Sequence, residues 1–583
     1  MESVTMMIIF WILMIVSAIF MFLNRNMITG WLLEIVLAGS FLVFRDSLFK
    51  GITGILVFLV LYFWIMHVTA PVKKLKPAEE GRMNETGIIQ VKQGKITGVI
   101  SKDQKTEIYA GIPYARPPVD HLRWKEPQDP DPWLDVKKCD HFKPMAMQKE
   151  TSVVMSSLRD IFMYKNLYRI FHDRYKPLMS EDCLYLNIWK PAGKYENCPV
   201  VFYIHGGSLA SGQSWWDDYD GKEYAENGVI FITFTYRLGL FGFYADKNLQ
   251  DESINHTTGM YGFLDQVKAL QWVKDNIASF GGDPDNITIA GESAGSSSVN
   301  AMCVSPLTKG LFQKAIGESS SISARKPAHS YISLEDALKQ GETFRKEHNA
   351  SDIETLRKMP ASELMQTKTS YETLCGFTDD GYALTESPYE SYQKGIHNEY
   401  ALLNGYNAKD GDVFTVLNGK VNLSNYREKL HQLLNSDIDT FIDKEPETDK
   451  EVDALYKRIA NAYIFGYGHY AWSSLASAYE PVYLYLFSKD NKTISCNHTG
   501  ELYYCYGSYK HNASRYSEAD RKLADTMEQY WLNFIKTGNP NKKGLPEWKT
   551  FTPDTIMKFN SDAEMIHNPD YEVLEKIQAL SDD

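Results

Sequence analysis

The sequence predicts an α/β protein: a large, mostly parallel central sheet flanked by helices on both faces, preceded by N-terminal transmembrane helices. Three observations carry that reading. The runs Pro199–Ile204 and Val229–Tyr236 are apolar without alternation, as strands covered on both faces must be. Phe263–Phe280 comes next with helical spacing (Phe263, Val267, Leu270, Val273, Ile277) and is stopped by Gly281-Gly282. Near the middle of the chain Ile287 to Asn300 reads I-T-I-A-G-E-S-A-G-S-S-S-V-N, a short β-branched run, a tight turn and small residues able to open a helix. Strand and helix alternating in this order argue for a parallel sheet.

The chain begins differently. Met6–Leu23 is an apolar run, Ile28–Phe44 is apolar except for Glu34, and Gly51–Ala70 is apolar apart from His67. Each approaches the length that spans a hydrocarbon core of about 30 Å. Two or three membrane helices are therefore expected over residues 1–77, the middle one least secure because a carboxylate at mid-bilayer is costly. Lys73, Lys74 and Lys76 would prefer the cytoplasm, whereas Arg45 and Lys50 pull the opposite way. Eight N-x-[S/T] sequons, at Asn84, Asn255, Asn286, Asn349, Asn422, Asn491, Asn497 and Asn512, favour a lumenal (endoplasmic reticulum) or extracellular face for residues 78–583.

That long segment holds no Pro/Gly/Ser-rich linker and no repeat, so one large domain is expected over 78–583. With 583 residues, 44% hydrophobic and 13% aromatic, the chain can bury a large core. Its net charge of −13 excludes the basic face that nucleic acid requires. Thr86–Ile100 alternates as a hairpin would, and Tyr109–Pro118 is too proline-rich for helix. Between Cys139 and Cys183 only Ser156–Tyr168 looks helical. Leu184–Trp189 adds a strand. After Val304, helical stretches at Leu334–His348, Tyr456–Ser473 and Glu518–Lys536 surround two strand candidates, Tyr400–Leu403 and Val482–Phe487.

The glycines around Ser293 make a G-x-S-x-G elbow, in which the serine sits on a strained turn and any side chain at the flanking positions would strike the neighbouring strand or helix. Chance alone yields such a motif about 0.2 times in a chain of this length, so it needs partners. A serine hydroxyl requires a base within hydrogen-bond reach and a group that orients the base. Val482–Phe487 leads into a loop whose first histidine is His498, which that position favours over His469 and His511. Tyr400–Leu403 leads to Asp410 and Asp412, either of which could be the acid. Backbone N–H groups must also meet the developing oxyanion, and removing one such donor costs about 3 kcal/mol. Ala294 supplies one. Gly207 and Ser208, after the Pro199–Ile204 strand, supply the others.

The chain resembles the type-B carboxylesterase and cholinesterase family of α/β-hydrolases. The resemblance rests on Gly111-Ile112-Pro113-Tyr114-Ala115, Ser180-Glu181-Asp182-Cys183-Leu184, Tyr236-Arg237-Leu238-Gly239, Phe280-Gly281-Gly282-Asp283-Pro284, the elbow, and Thr537-Gly538-Asn539-Pro540. It covers about residues 86 to 550, and implies Ser293 as nucleophile, His498 (in His498-Thr499-Gly500-Glu501) as base and Asp410 (in Asn407-Ala408-Lys409-Asp410-Gly411) as acid. It also implies a disulfide between Cys139 and Cys183. A closed loop of about 45 residues would contribute about 4 kcal/mol. Cys496 and Cys505 flank His498 and suggest a local bridge.

Two departures stand out. Asp410 occupies a position where glutamate is usual, which shortens the reach by one methylene and keeps the charge. Ser208 replaces the usual third oxyanion glycine. The resulting expectation is a membrane-anchored serine hydrolase that cleaves small, apolar carboxylic esters through an acyl-serine intermediate, with no cofactor and no metal. Acyl transfer by the same residues is one alternative. A non-catalytic adhesion or scaffold member of the family is another, disfavoured because all three triad residues are present.

Overall fold

The computed structural model describes residues 2–44, 51–150, 152–154, 156–157, 175–368, 374–412, 415, 419–490 and 495–582. Arg45, Lys50, the Asn491 sequon and most of the helix expected near Ser156–Tyr168 lie outside them. The chain divides into two compact units, one of Met1–Lys76, Glu150–Leu178 and Lys492–Ile494, the other of the remainder.

In the smaller unit, α1 (Glu2–Leu23), α2 (Ile28–Phe44) and α3 (Gly51–Val68) share a core of Phe10, Met21, Leu37, Phe41, Phe58, Tyr62 and Ile65. Phe10 stacks on Phe41 with centroids 4.5 Å apart. Glu34 points into this core, where the Ser17 hydroxyl donates to it. That resolves the awkward carboxylate of the middle run, which is held inside the bundle. Counted over the residues described in full, no helix is long and apolar enough to cross a membrane. The helices have 22, 17 and 18 residues, and at 1.5 Å per residue the latter two reach only about 26 and 27 Å.

The larger unit is built on a sheet that has twelve strands among the described residues. In chain order these are β1 (Asn84–Glu85), β2 (Val99–Ile100), β3 (Thr106–Pro113), β4 (Tyr185–Pro191), β5 (Cys198–Ile204), β6 (Ile230–Phe234), β7 (Gly282–Glu292), β8 (Lys314–Glu318), β9 (Leu402–Asn407), β10 (Val482–Phe487), β11 (Thr555–Phe559) and β12 (Ala563–His567). They lie in the order β1-β2-β3-β4-β6-β5-β7-β8-β9-β10-β11-β12. From β6 to β11 every pairing is parallel, and antiparallel strands close both flanks. Val200, Phe202, Ile204, Ile230, Ile232 and Phe234 are all fully buried, which is why those segments show no alternation.

Helices cover the parallel strands. α4 (Tyr261–Asn276) ends in a tight turn at Gly281, whose φ is 85° and where a Cβ would lie 2.2 Å from the Tyr195 carbonyl oxygen. α5 (Ala294–Val304) begins directly after the elbow. α6 (Tyr426–Leu434) and α7 (Asp449–Asn461) come next, the latter opened by a capping box of Thr448 and Glu451. A π turn at Ala462–Gly466 joins α7 to α8 (Tyr467–Ala476) with helical backbone on both sides, so the single helix expected there forms with a π segment inside it. α9 (Glu518–Thr537) starts at a Ser517/Asp520 box and stops at Gly538 with φ 77°.

The strand expected at Tyr400–Leu403 runs instead over Leu402–Asn407. β8 escaped sequence reading because Lys-Ala-Ile-Gly-Glu carries two charges in five residues, both buried. Neither the Cys139–Cys183 disulfide implied by the resemblance nor the local Cys496–Cys505 bridge forms. Cys139 and Cys183 are both free thiols inside the apolar core, as are Cys496 and Cys505 beside His498. Burial pushes the Cys139 thiol up to about 12 and Cys183 well above its ordinary value, so neither yields thiolate readily. Cys505 is engaged elsewhere, its Sγ 3.4 Å from Glu318 Oε1.

One buried ion pair joins α4 to the chain leaving β6. Arg237 donates from Nε and Nη2 to the two oxygens of Asp265, each at 2.7 Å, and its backbone N–H adds a bond of 3.1 Å. Asp265→Asn strands the guanidinium in the core and is expected to cost about 3 kcal/mol, read as a lower midpoint in chemical denaturation. An unchanged midpoint would show that the pair does not hold α4 in place.

Candidate active site

Strand β7 delivers Ser293 at its carboxyl end, in a conformation (φ 57°, ψ −130°) that few L-residues adopt. Two features hold it there. The Ser293 N–H donates to the Glu318 carbonyl of neighbouring β8 at 2.8 Å. On the other side β5 passes so close that a Cβ on Gly295 would lie 2.0 Å from the Ile204 carbonyl oxygen, and one on Gly291 2.8 Å from it. Glycine at both positions is therefore a packing requirement of the turn.

Strands β9 and β10 supply the partners. The His498 Nε2 lies 2.9 Å from Ser293 Oγ, and its Nδ1 lies 2.8 Å from Asp410 Oδ1. Asp410 is fully buried, and its other oxygen accepts the Asn407 N–H at 2.7 Å. The two turns are tied directly to each other. Lys409 N–H donates to the Cys496 carbonyl at 3.1 Å, and Asn407 Nδ2 to that of Asn497 at 2.9 Å. Of the alternatives, Asp412 makes no bond to His498 and lies within the electrostatic influence of Lys457 and Lys409. His469 is buried against Asn404, and His511 stands at the surface near Asp220.

The loop after β5 carries Gly207 (φ 109°) and Ser208 (φ 55°). A Cβ on Gly207 would meet the Ser211 carbonyl oxygen at 2.1 Å. Among the described residues, the N–H groups of Gly207, Ser208 and Ala294 donate to no protein acceptor, and Ser208, Ser293 and Ala294 line one cavity of about 590 Å³. His205, which opens the loop, stacks on Tyr236 at 4.5 Å, and the Tyr236 hydroxyl donates to its carbonyl at 2.8 Å. Burial holds the His205 imidazole down to about 4, so it packs as a neutral ring.

Sequence reasoning missed three members of the site. Glu292, within the elbow itself, puts Oε1 3.3 Å from His498 Nε2. Burial pushes its carboxyl well above the usual range. Burial also opposes a charge on His498, but the carboxyls of Glu292 and Asp410 outweigh that, and the imidazole is raised. Phe465 packs on His498 with ring centroids 5.1 Å apart and planes tilted by 44°, and His329 Nε2 donates to the Ile464 carbonyl at 3.2 Å. Both Ile464 and Phe465 belong to the π turn. Glu292 was legible in the motif; nothing in the sequence marked the π turn.

A serine on a strained elbow, backed by a histidine and a carboxylate from successive parallel strands, defines a serine hydrolase of the α/β-hydrolase class. Residues 85–575 match the carboxylesterase family, and the chain belongs to that family. As such it hydrolyses carboxylic esters. It is 30% identical to a medium-chain fatty acyl-CoA hydrolase precursor of Anas platyrhynchos, over 81% of this chain and 88% of that one. It is equally similar, at 30%, to a para-nitrobenzyl esterase of Bacillus subtilis, over 84% and 98%. The solved carboxylesterase of Geobacillus stearothermophilus superposes with a TM-score of 0.71 at 28% identity, covering 85% of this chain and all of that one.

Because His498 must be neutral to take a proton, kcat/KM falls as pH drops below its raised pKa. Glu292→Gln removes one group that raises it, so the acid limb of the pH–rate profile is expected to move to lower pH. A limb that stays fixed or moves up would exclude Glu292 from the titration.

Proposed function

We propose that the chain is a membrane-anchored esterase that cleaves apolar carboxylic esters through an acyl-Ser293 intermediate. Ser293 Oγ attacks the acyl carbon while His498 Nε2 accepts its proton. The carbonyl oxygen becomes an oxyanion facing the N–H groups of Gly207, Ser208 and Ala294. Collapse of the tetrahedral species returns the proton to the departing alcohol. Water, activated by the same imidazole, then releases the acid. Asp410 holds Nδ1–H and thereby fixes the tautomer. The observation that carries this reading is the unbroken line from Asp410 Oδ1 through His498 to Ser293 Oγ, with bonds of 2.8 and 2.9 Å, beside three unengaged N–H groups.

An apolar acyl group suits the cavity wall, where Ala328, Leu433, Tyr456, Ile464 and Phe465 contribute. The description of the Anas platyrhynchos relative as a medium-chain fatty acyl-CoA hydrolase points the same way. A fluorophosphonate probe is expected to label the protein, with labelling lost in Ser293→Ala and His498→Ala and with kcat lowered about 10⁶-fold in each. Failure of the intact protein to label would overturn the reading.

The anchor is residues 1–77, with the catalytic domain at 78–583. Support comes from the outward side chains of α1 to α3. Ile12, Ile15, Phe20, Ile35, Val36, Val60, Phe63 and Trp64 are each more than half exposed around a packed interior, a surface that water disfavours by about 2 kcal/mol per side chain. Of the sequons, Asn84, Asn255 and Asn349 are exposed on the larger unit, which favours the lumenal or extracellular side. The protein should remain in the membrane pellet after carbonate extraction. In sealed microsomes the larger unit should resist added protease and lose apparent mass on deglycosylation. Release by carbonate would refute the anchor, and digestion with unchanged mobility would refute the orientation.

A further inference from the structure

The parallel strands that carry Asp410 and His498 at their carboxyl ends begin beside a second polar cluster. Glu399 lies three residues before β9 and Glu480 two residues before β10. The two strands pair from their first residues, Leu402 opposite Val482, with the Leu402 N–H donating to the Pro481 carbonyl at 3.1 Å. The side chain of Glu399 is 0% exposed and that of Glu480 2%, and His397 stands over both at 13%. Neither carboxylate oxygen of Glu480 meets a hydrogen-bond donor, although both are buried.

The spacing of this cluster fits an ion. His397 Nδ1 is 3.9 Å from Glu399 Oε1 and 4.0 Å from Glu480 Oε2. Both distances are too long for hydrogen bonds, and side-chain shifts of about half an ångström would bring the donors to the separations of about 3.3–3.6 Å found around a tetrahedral metal. One donor atom from each of the three residues falls within 4.8 Å of the others. His397 Nδ1 donates to the Glu399 carbonyl oxygen at 3.1 Å, and a metal on Nδ1 would take the place of that proton. Glu399 is itself braced, as ligating carboxylates are: the Tyr392 hydroxyl donates to Oε1 and the Asn398 N–H to Oε2 at 3.3 Å. Trp472 Nε1 in turn donates to the Tyr392 hydroxyl at 2.7 Å.

We propose that His397, Glu399 and Glu480 bind one divalent cation of the kind that accepts imidazole and carboxylate together, such as Zn²⁺. The ion would give Glu480, whose two oxygens are buried without a donor, a partner that it shares with Glu399. Its place in the fold makes it a clamp, joining the lead-in of β9 to that of β10 at the end remote from Ser293. The ion touches no reacting atom, and its effect is on the rigidity of the pair of strands that hold the acid and the base.

The test uses the full-length protein in detergent, stripped with EDTA and then titrated with ZnCl₂. The wild type is expected to take up one tight equivalent more than Glu480→Gln or His397→Asn, counted by elemental mass spectrometry. Its melting temperature should rise by about 2 °C or more, a rise both variants lose. Co²⁺ in place of Zn²⁺ should give d–d bands without thiolate charge transfer. A stripped wild type that gains neither a tight equivalent nor thermal stability would overturn the proposal, whatever the variants do. It would leave a single proton shared between the two carboxyls as the means of neutralising them. Equal uptake by wild type and folded Glu480→Gln would overturn it too.

Discussion

The closest backbone approach in the site, between β5 and the elbow of β7, governs the rest of the molecule. With no Cβ at Gly291 or Gly295, the start of α5 can lie against the Ile204 carbonyl, and only then does Ser293 adopt a positive φ and lift Oγ above the sheet. Such a conformation costs on the order of 1–3 kcal/mol and persists only where its surroundings determine it. Here they are a fully buried parallel sheet and the Ser293 bond to the Glu318 carbonyl on β8. The same β5 runs on into the loop of Gly207 and Ser208. Nucleophile and oxyanion donors are therefore set by one strand contact.

The acid and base reach that point by a different device. Their strands, β9 and β10, are neighbours, and the turns beyond them are bonded to each other through Lys409, Asn407, Cys496 and Asn497. A shift of one turn carries the other with it, so the Asp410 to His498 geometry survives motions of either. This explains how aspartate serves where the family usually has glutamate. The turn brings the shorter side chain to 2.8 Å, and the Asn407 N–H occupies its second oxygen.

Around the imidazole lies an unusual density of buried acids. Glu318 is pushed up to about 8 by burial, relieved in part by Tyr506, Trp531 and Cys505, and Glu501 to about 7 by burial and the neighbouring Asp410. Glu501 accepts from Ser319 at 2.9 Å and from Asn407, binding β8, β9 and the histidine loop together. These carboxyls leave Asp410 as the group bonded to Nδ1. Together with Glu292 they form the polar floor on which an imidazolium can appear and vanish with each proton transfer.

The sequence by itself determined the elements with strong local signals. Unalternating runs marked β5 and β6, the Gly281-Gly282 pair ended α4, and the elbow with its ordered partners marked Ser293, Asp410 and His498. It could not reveal β8, whose buried charges contradict local pattern and are satisfied only by residues far along the chain, such as Tyr506 and Trp531. The π turn that carries Phe465 was equally hidden, because no local sequence signal marks a π turn inside a helix. The family resemblance suggested a bridge for Cys139 and Cys183, and proximity in sequence alone one for Cys496 and Cys505, yet all four are free thiols. Local pattern left Asp410 and Asp412 equal after the same strand; the family segment Asn407–Gly411 favoured Asp410, and the structure places it on His498 Nδ1. Periodicity and turn chemistry act between residues a few positions apart, whereas pairing, burial and proton affinity depend on groups brought together from distant parts of the chain.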